Sequence, residues 1–219
     1  MPEAAEEMAR LGAELRSALV ADALDAVGRR EQCLGAGIQP LNAGTVVVGR
    51  AFTVTAIPSE KPADRPYVGL LRALDAVRNG EIFVYPTARS DRAAVWGELV
   101  SATCLARGVV GVVTDGLVRD VARIREIGFP VFCRGTLPYD VNGRLEVVDH
   151  GGIVEIDGVR IAPGDLVVAD DDGVVIVPTD VELEVIERCR VKEARERRFR
   201  EAVEAGLPAQ DAFERFDVL

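Results

Sequence analysis

The sequence predicts an α/β protein that combines a core of parallel strands with a small antiparallel, barrel-like layer and a long C-terminal helix. In the middle of the chain, β-branched segments alternate with segments of helical spacing, which is typical of parallel strands joined by helices. In the C-terminal third, short apolar segments alternate with close turns, which is typical of hairpins. With 219 residues, 48% of them hydrophobic, the chain is long enough to bury a sizeable core.

The N-terminal segment is predicted to contain helix, then loop, then strand. From residue 3 to residue 27, apolar side chains recur at helical spacing and Gly28 supplies a stop, so two helices or one broken helix fit equally well. A glycine- and proline-rich loop follows over residues 35–42. The β-branched segment 44–57 predicts two strands broken at Gly49.

The central segment is predicted to alternate between helix and strand after a loop over residues 58–66. The predicted helices lie near residues 67–78, 96–107 and 118–127, and the predicted strands cover residues 81–85, 109–114 and 130–134. Because consecutive strands are separated by helices, parallel pairing in one sheet is expected.

The C-terminal segment is predicted to form short strands, a long helix and an irregular tail. Turn dipeptides separate the strands between residues 145 and 178, at Asp157-Gly158, Pro163-Gly164 and Asp172-Gly173. A charged helix is predicted over residues 181–205. The tail carries Phe213 and Phe216, which are expected to pack on a neighbouring subunit or on the core.

One domain over residues 1–219 is predicted, because no repeat, low-complexity segment or interdomain linker interrupts the pattern. Residues 1–30 of this domain carry the N-terminal helices. Residues 179–205 carry the C-terminal helix, and residues 206–219 form the tail.

The charge balance argues against a nucleic-acid partner. The chain has 26 lysines and arginines against 36 aspartates and glutamates, a net charge of −10, which repels phosphate backbones. A basic run over residues 195–200 is interleaved with glutamates at helical spacing, as on a solvated helix face. No apolar stretch is of membrane-spanning length, and residues 1–10 lack the apolar segment of a secretion signal. A cytoplasmic protein without a membrane partner is therefore expected.

Several common catalytic arrangements are not favoured by the sequence. The single histidine, His150, has no serine or cysteine in an elbow context, so a hydrolase triad has little support. The two lysines, Lys61 and Lys192, lie outside apolar strands, which disfavours a Schiff-base aldolase. The four cysteines form no Cys-x-x-Cys pair and are expected to be reduced thiols, and no glycine-rich nucleotide loop follows a strand. Catalysis is therefore expected to use carboxylates and arginine.

Arg119 and Asp120 follow the predicted strand 109–114, at the start of a helix. Sites in α/β sheets form at the carboxyl ends of strands, and this pair supplies a cation for an oxyanion and an oxygen ligand for a divalent metal. The simpler alternative is that Asp120 caps the helix while Arg119 is solvated. Asp115 is interpreted as a turn former ahead of Gly116 rather than a ligand.

The segment from Gly97 to Val100 stands at an equivalent junction one helix earlier. Free amides in the first turn of a helix bind carboxylates, and Gly97 permits a close approach of the backbone to a small anion. Glu98 adds a second carboxylate for proton transfer or for polarising water. The alternative is that Glu98 only faces the helix dipole, where acidic residues are common.

Four segments resemble the RraA-like family, which includes the 4-hydroxy-4-methyl-2-oxoglutarate aldolases. The segments are WGELV (96–100), GVVGVVTDGLVRD (108–120), GFPVFCRG (128–135) and PGDLVVADDDG (163–173). The resemblance covers about residues 15–205. It implies an α/β/β/α sandwich that assembles as a homotrimer or a hexamer, with each active site between subunits.

The resemblance also implies a site that holds pyruvate with Mg²⁺ or Mn²⁺ and an arginine. Gly97, Glu98, Leu99 and Val100 match the segment around the substrate carboxylate, Arg119 matches the substrate arginine, and Asp120 matches the metal ligand. The aldolases often carry aspartate where this chain has Glu98. A glutamate from the C-terminal helix of an adjacent subunit approaches the site in this family, and Glu193 and Glu196 are the candidates.

The implied activity is metal-dependent aldol cleavage of a 4-hydroxy-2-oxo acid, such as 4-hydroxy-4-methyl-2-oxoglutarate, to pyruvate. Oxaloacetate decarboxylation is an expected side activity, because loss of CO₂ leaves the same enolate. Arg89 and Arg92 are candidates for holding a second substrate carboxylate. The alternative is a non-catalytic regulator that binds and inhibits a ribonuclease, as the family's namesake does. A quinone-precursor methyltransferase is a third reading, but it lacks a glycine-rich nucleotide loop.

Overall fold

The computed structural model describes the backbone of residues 2–218 and the side chains of residues 7, 8 and 10–218. The ends of the predicted domain, Met1 and Leu219, lie outside the described residues. Helices in the described part of the chain are α1 (Pro2–Glu14), α2 (Ser17–Ala26), α3 (Val68–Ala76), α4 (Glu98–Ala106), α5 (Val121–Ile127), α6 (Glu182–Glu204) and α7 (Ala209–Phe216). No helix among these residues is long and apolar enough to cross a membrane.

The strands form one large mixed sheet and two small sheets. They are β1 (Gln39–Pro40), β2 (Val47–Pro58), β3 (Glu81–Tyr85), β4 (Ala94–Trp96), β5 (Gly111–Thr114), β6 (Leu117–Val118), β7 (Val131–Cys133), β8 (Gly135–Thr136), β9 (Leu145–His150), β10 (Val154–Ile156), β11 (Val159–Ile161), β12 (Leu166–Asp170) and β13 (Gly173–Val177). The large sheet has the order β1-β7-β5-β3-β2-β12-β13, and β9 pairs with the far half of β2. Within this sheet, strands β2, β3, β5 and β7 are parallel, as predicted, and β1, β9, β12 and β13 pair antiparallel.

The N-terminal segment forms two helices rather than one broken helix. The second helix begins at Ser17, whose backbone N–H and hydroxyl both donate to the buried carboxylate of Asp170, at 2.7 and 2.5 Å. A helix continuing through this point would have no need of that carboxylate, because its amides would bond within the helix. The predicted stop is confirmed at Gly28, which adopts a φ of 78°.

The prediction of two strands broken at Gly49 is wrong, since β2 runs without interruption from Val47 to Pro58. A Cβ atom at Gly49 would lie 2.7 Å from a methyl carbon of Val110 and 2.8 Å from the carbonyl oxygen of Gly80. This glycine therefore permits a close approach of neighbouring strands instead of ending one. The irregularity of β2 lies between Thr55 and Ala56, in the half that pairs with β9.

Three apolar cores hold the layers together. The large sheet curls into a nearly closed barrel, and a barrel core of residues such as Val84, Val113 and Ile176 fills its interior. A site-side core joins α3, α4 and α5 to the sheet, and its buried members all lie between Phe52 and Val147. An end-side core joins α1, α2 and α6 to β12 and β13, and draws on both ends of the chain. Helices thus cover the strands on two sides, which confirms the predicted fold class.

The C-terminal segment follows the prediction up to its last residues. The hairpin of β10 and β11 turns at Asp157 and Gly158, which have φ angles of 52° and 84°, and α6 covers the predicted charged helix. The prediction of an irregular tail is wrong, because α7 forms there and packs on α6. Ala212 is fully buried, whereas Phe213 remains 47% exposed and Phe216 half-buried.

Candidate functional site

The candidate site lies at one end of a small parallel sheet with the strand order β4-β6-β8. Gly97 and Glu98 directly follow β4, and Arg119 and Asp120 directly follow β6. Adjacent parallel strands end at the same edge of a sheet, so the two segments must meet there. The backbone N–H of Arg119 donates to the carbonyl of Trp96 at 2.9 Å, which fixes the register between them.

Gly97, Arg119 and Asp120 are in direct contact. A Cβ atom at Gly97 would lie 2.7 Å from Oδ2 of Asp120 and 3.3 Å from Cγ of Arg119. The φ of Gly97 is −156°, an extended conformation open to any residue, so the need for glycine here comes from the close approach alone. The structure therefore brings the two predicted segments together, while the catalytic, substrate-binding and metal-binding roles of their residues stay predictions.

The capping alternative does not describe the side chain of Asp120. This residue stands at the N-cap position of α5 with a φ of 60°, but its side chain makes no capping hydrogen bond to that helix. Oδ2 of Asp120 instead accepts a long hydrogen bond, 3.3 Å, from the backbone N–H of Glu98 at the start of α4. The side chain is 47% exposed, so its carboxylate is open to further ligands.

The first turn of α4 offers backbone amides. Gly97 is the N-cap and has no side chain to cap the helix, and Asp120 bonds only to the amide of Glu98, so the amides of Leu99 and Val100 are left for an outside acceptor. Glu98 is half-exposed, Val100 packs partly on the site-side core, and Leu99 is 77% exposed.

Arg119 is held by a residue that the sequence reasoning missed. Nη2 of Arg119 lies 3.2 Å from Oδ1 of Asp140, and Nε lies 3.8 Å from Oδ2 of Asp120. The hydroxyl of Tyr67 donates to Oδ2 of Asp140 at 2.6 Å. Asp140 lies in the loop after β8 and Tyr67 directly precedes α3, and neither residue has a local sequence signal that marks it.

The carboxyl of Asp140 and the hydroxyl of Tyr67 shift each other's ionisation. Burial alone would raise the pKa of Asp140, but hydrogen bonds from Tyr67 and from the backbone N–H of Asn142, together with the nearby Arg119, hold that pKa below its usual value. The hydrogen bond to Asp140, with burial, raises the pKa of Tyr67. At neutral pH Asp140 is therefore an anion and Tyr67 a neutral donor.

An open cavity of about 310 Å³ adjoins Arg119 and Asp120. Its other lining residues are mostly apolar: Val118, Val121, Thr136, Leu137 and Pro138. The volume is at the small end of the range for ligand sites. An arginine and an exposed carboxylate on an apolar wall suit a small polar molecule that carries an anionic group.

Among the described residues, no group of three or more histidine, cysteine, aspartate or glutamate side chains could hold a metal ion. Asp120 supplies one exposed carboxylate whose Oδ1 bonds to no described residue. Mg²⁺ is commonly held by one or two carboxylates, with water and substrate oxygens completing its shell. This donor set fits such an ion and does not fit a closed structural metal site.

Asp115 is a structural residue, but its side chain holds the turn at residues 87–89 rather than the predicted turn ahead of Gly116. Its side chain is buried and accepts hydrogen bonds from the backbone N–H and hydroxyl of Thr87, at 2.5 and 2.9 Å, and from the backbone N–H of Arg89, at 2.8 Å. These bonds hold a turn in which Ala88 and Arg89 both have positive φ. The carboxylate is therefore fully used within the protein.

The arginines proposed for a second substrate carboxylate are both paired with acidic side chains of the protein. Nε of Arg89 lies 2.6 Å from Oδ1 of Asp157, and Nη1 of Arg92 lies 3.2 Å from Oε1 of Glu60. The pair of Arg92 and Glu60 is exposed, so solvent screens it and a ligand could compete for Arg92. The side chain of Asp157 is only 7% exposed, so Arg89 is held more firmly. Their role in substrate binding stays a prediction.

The remaining reactive groups have ordinary surroundings. His150 stacks on Phe52 with ring centroids 5.5 Å apart. All four cysteines are free thiols, and burial raises the pKa of Cys104 to about 12, which makes it unreactive. Glu193 and Glu196 both pair with Arg200 on α6, which packs against α2 and α7.

Comparison with known proteins shows which family the chain resembles. A family model described as "RraA-like: Aldolase/RraA" matches residues 17–176. Protein DlpA of Legionella pneumophila is 33% identical over 198 residues, covering 90% of this chain and 32% of DlpA, so the chain spans about a third of that relative. A Halalkalibacterium halodurans protein, provisionally named a 4-hydroxy-4-methyl-2-oxoglutarate aldolase, is 32% identical over 175 residues, covering 80% of this chain and 78% of that protein.

A solved structure is similar over most of its length. Streptomyces coelicolor RraAS2, described as an unusual member of the RNase ES inhibitor RraA protein family, superimposes with a TM-score of 0.78 at 31% identity. The match covers 89% of this chain and 96% of RraAS2. The family model, the relatives and the shared fold together show that the chain belongs to the RraA-like family.

Proposed function

We propose that the protein is a divalent-metal-dependent pyruvate aldolase. Its substrate is a 4-hydroxy-2-oxo acid such as 4-hydroxy-4-methyl-2-oxoglutarate, and oxaloacetate decarboxylation is a side activity. The observation that carries the proposal is the contact of Gly97 and Glu98 with Arg119 and Asp120 at the edge of an open cavity. The provisional name of the Halalkalibacterium relative supports the same activity.

Asp120 would hold Mg²⁺ or Mn²⁺ through its exposed carboxylate. When bound, such an ion supplies a Lewis acid that polarises the 2-oxo group of the substrate. The amides at the start of α4, from Glu98 to Val100, bind the substrate carboxylate, because those of Leu99 and Val100 have no side-chain partner and that of Glu98 makes only a long, 3.3 Å bond to Asp120. Gly97 keeps the backbone close enough for that contact.

Arg119 stabilises the charge that develops during cleavage. A base removes the proton of the 4-hydroxyl group, the bond between C3 and C4 breaks, and its electron pair stays on the pyruvate part as an enolate. The guanidinium of Arg119, already oriented by Asp140, faces the growing negative charge without reorganising. In oxaloacetate, loss of CO₂ leaves the same electron pair in the same place.

Glu98 is proposed to orient the water that protonates the enolate carbon. Its half-exposed side chain lies next to the backbone N–H that contacts Asp120. The family's aldolases often have aspartate here. Because the glutamate side chain is one methylene longer, the water that Glu98 orients is proposed to lie farther from the backbone than the water in those aldolases.

We propose that the site is completed by another subunit in a homotrimer or hexamer. The exposed Leu99 beside the site supports this, because burial against a second chain would remove apolar surface from water. Glu193 or Glu196 on α6 of a neighbouring subunit would then add a carboxylate.

A regulatory function is the second candidate. The name of RraAS2 refers to a family of ribonuclease inhibitors, and the net charge of −10 suits docking to a basic protein segment. Two assays separate the aldolase from the regulator. One measures pyruvate release from 4-hydroxy-4-methyl-2-oxoglutarate and from oxaloacetate, with and without Mg²⁺. The other measures inhibition of a ribonuclease. Inhibition without any metal-dependent pyruvate release would contradict the aldolase assignment.

Replacement of Gly97 by alanine should lower kcat/KM for pyruvate release by about 100-fold, since displacing a catalytic group by about 1 Å can have this effect. The new methyl group would sit 2.7 Å from Oδ2 of Asp120 and push that carboxylate aside. The extended backbone of Gly97 accepts alanine, so thermal unfolding should change little. Gly12→Ala, at a helical glycine with open space around it, is the matched control.

A further inference from the structure

We propose that Asp140 and Tyr67 restrain Arg119 so that it does not close on Asp120. In this arrangement they are positioning residues, and they keep the carboxylate of Asp120 free for a divalent ion. The inference rests on the proposed function, in which Asp120 is the metal ligand. It adds a role for two residues outside the predicted site.

Two carboxylates compete for one guanidinium. Nη2 of Arg119 lies 3.2 Å from Asp140, while its Nε lies 3.8 Å from Asp120. Arginine and a carboxylate prefer a bidentate pair with two parallel hydrogen bonds. A small movement of Arg119 toward Asp120 would form that pair, and the oxygens of Asp120 would then be used by the protein. The ion pair with Asp140 opposes this movement.

Asp140 can act as a restraint because its own position is fixed. Its Oδ2 accepts hydrogen bonds from the hydroxyl of Tyr67 at 2.6 Å and from the backbone N–H of Asn142 at 3.2 Å. Arg144 donates to the carbonyl oxygen of Asp140 at 2.8 Å. Hydrogen bonds to both the side chain and the backbone of Asp140 therefore fix the position of its carboxylate.

Tyr67, which makes this bond, has an unfavourable backbone conformation. Its φ is 65°, in the left-handed region that a bulky side chain rarely occupies, and it directly precedes α3. Such strain persists where surrounding contacts maintain it and is concentrated at functional sites. Tyr67 and Asp140 come from separate loops, so their bond joins the start of α3 to the loop after β8.

The test is Mn²⁺ binding in the absence of substrate, measured by electron paramagnetic resonance titration. Asp140→Asn should weaken Mn²⁺ binding about 10-fold and Tyr67→Phe about threefold, within the range found for neighbouring residues that interact. In an Arg119→Ala background, neither change should weaken binding by more than about twofold, because no guanidinium remains to occupy Asp120. Tyr67→Phe leaves the negative charge of Asp140 in place. A loss of Mn²⁺ binding in this variant therefore reports the lost restraint on Arg119, and not a lost electrostatic attraction between Asp140 and the ion.

The control is Tyr139→Phe, which lies in the same loop as Asp140. The hydroxyl that it removes bonds to no described residue. It should bind Mn²⁺ as the unaltered protein does. Equal losses from Asp140→Asn or Tyr67→Phe with and without Arg119 would overturn the restraint and leave the aldolase proposal standing. If Asp140→Asn does not fold, Tyr67→Phe decides alone. Absence of both Mn²⁺ binding and pyruvate release in the unaltered protein would overturn the proposed function together with this inference.

Discussion

Replacement of Asp120 by alanine is expected to lower metal-dependent pyruvate release by a factor of about 1,000 or more. Loss of one preorganised charged group at a reacting centre typically costs on the order of 10²–10³ in rate, and here the change also removes the carboxylate that this subunit is proposed to give the metal. The protein should stay folded, because the side chain is 47% exposed and makes no capping bond to α5. Steady-state assays over a range of Mg²⁺ concentrations measure the effect.

The matched control is Asp211→Ala, which removes an exposed carboxylate from the first turn of α7. It should change pyruvate release by less than about twofold, as expected for a surface substitution away from the site. Circular dichroism of both variants reports whether they remain folded. A folded Asp120→Ala protein that keeps full metal-dependent activity would show that the site lies elsewhere.

Replacement of Asp115 by alanine should lower the free energy of unfolding by about 3 kcal/mol or more. The buried carboxylate accepts hydrogen bonds from two backbone N–H groups and one hydroxyl, and the variant would leave these donors without a partner. The turn that they hold includes Ala88 and Arg89, both in the unfavourable region of positive φ. Urea unfolding followed by circular dichroism gives the difference.

Asp171→Ala provides the comparison, because the carboxylate of Asp171 also accepts a backbone N–H, that of Gly44, but is exposed. Water can replace the lost bond there, so the expected loss is below about 1 kcal/mol. Similar losses in the two variants would contradict the importance given to burial at Asp115. The two measurements need no knowledge of the substrate.

The sequence predicted those helices and strands whose apolar residues recur with a clear period or whose ends are marked by turn residues. Strand β3 occupies the predicted residues, and α4 and α5 begin within three residues of their predicted positions. The continuous β2 was missed because the sequence alone does not distinguish a glycine that ends a strand from one that lets neighbouring chain segments pack closely against the strand. Helix α7 was missed because eight residues give too few turns for helical spacing to stand out.

The candidate site was predictable only where it follows strands along the chain. Gly97 and Asp120 could be found because each follows an apolar segment and matches a motif. Strands β6 and β8 have two residues each, too few to show alternation, so the small sheet that aligns the site was not foreseen. Tyr67 and Asp140 are separated by a long stretch of chain, and their bond depends on tertiary packing that no local pattern encodes.

The location of the site-side core has a consequence for synthesis on the ribosome. Its buried members all lie between Phe52 and Val147, so the half of the protein that carries the site can assemble while later residues are still being added. The end-side core must wait for β12, β13 and α6. Until then one edge of β2 lacks its partner β12, and this unpaired edge is where a nascent chain is most exposed to aggregation.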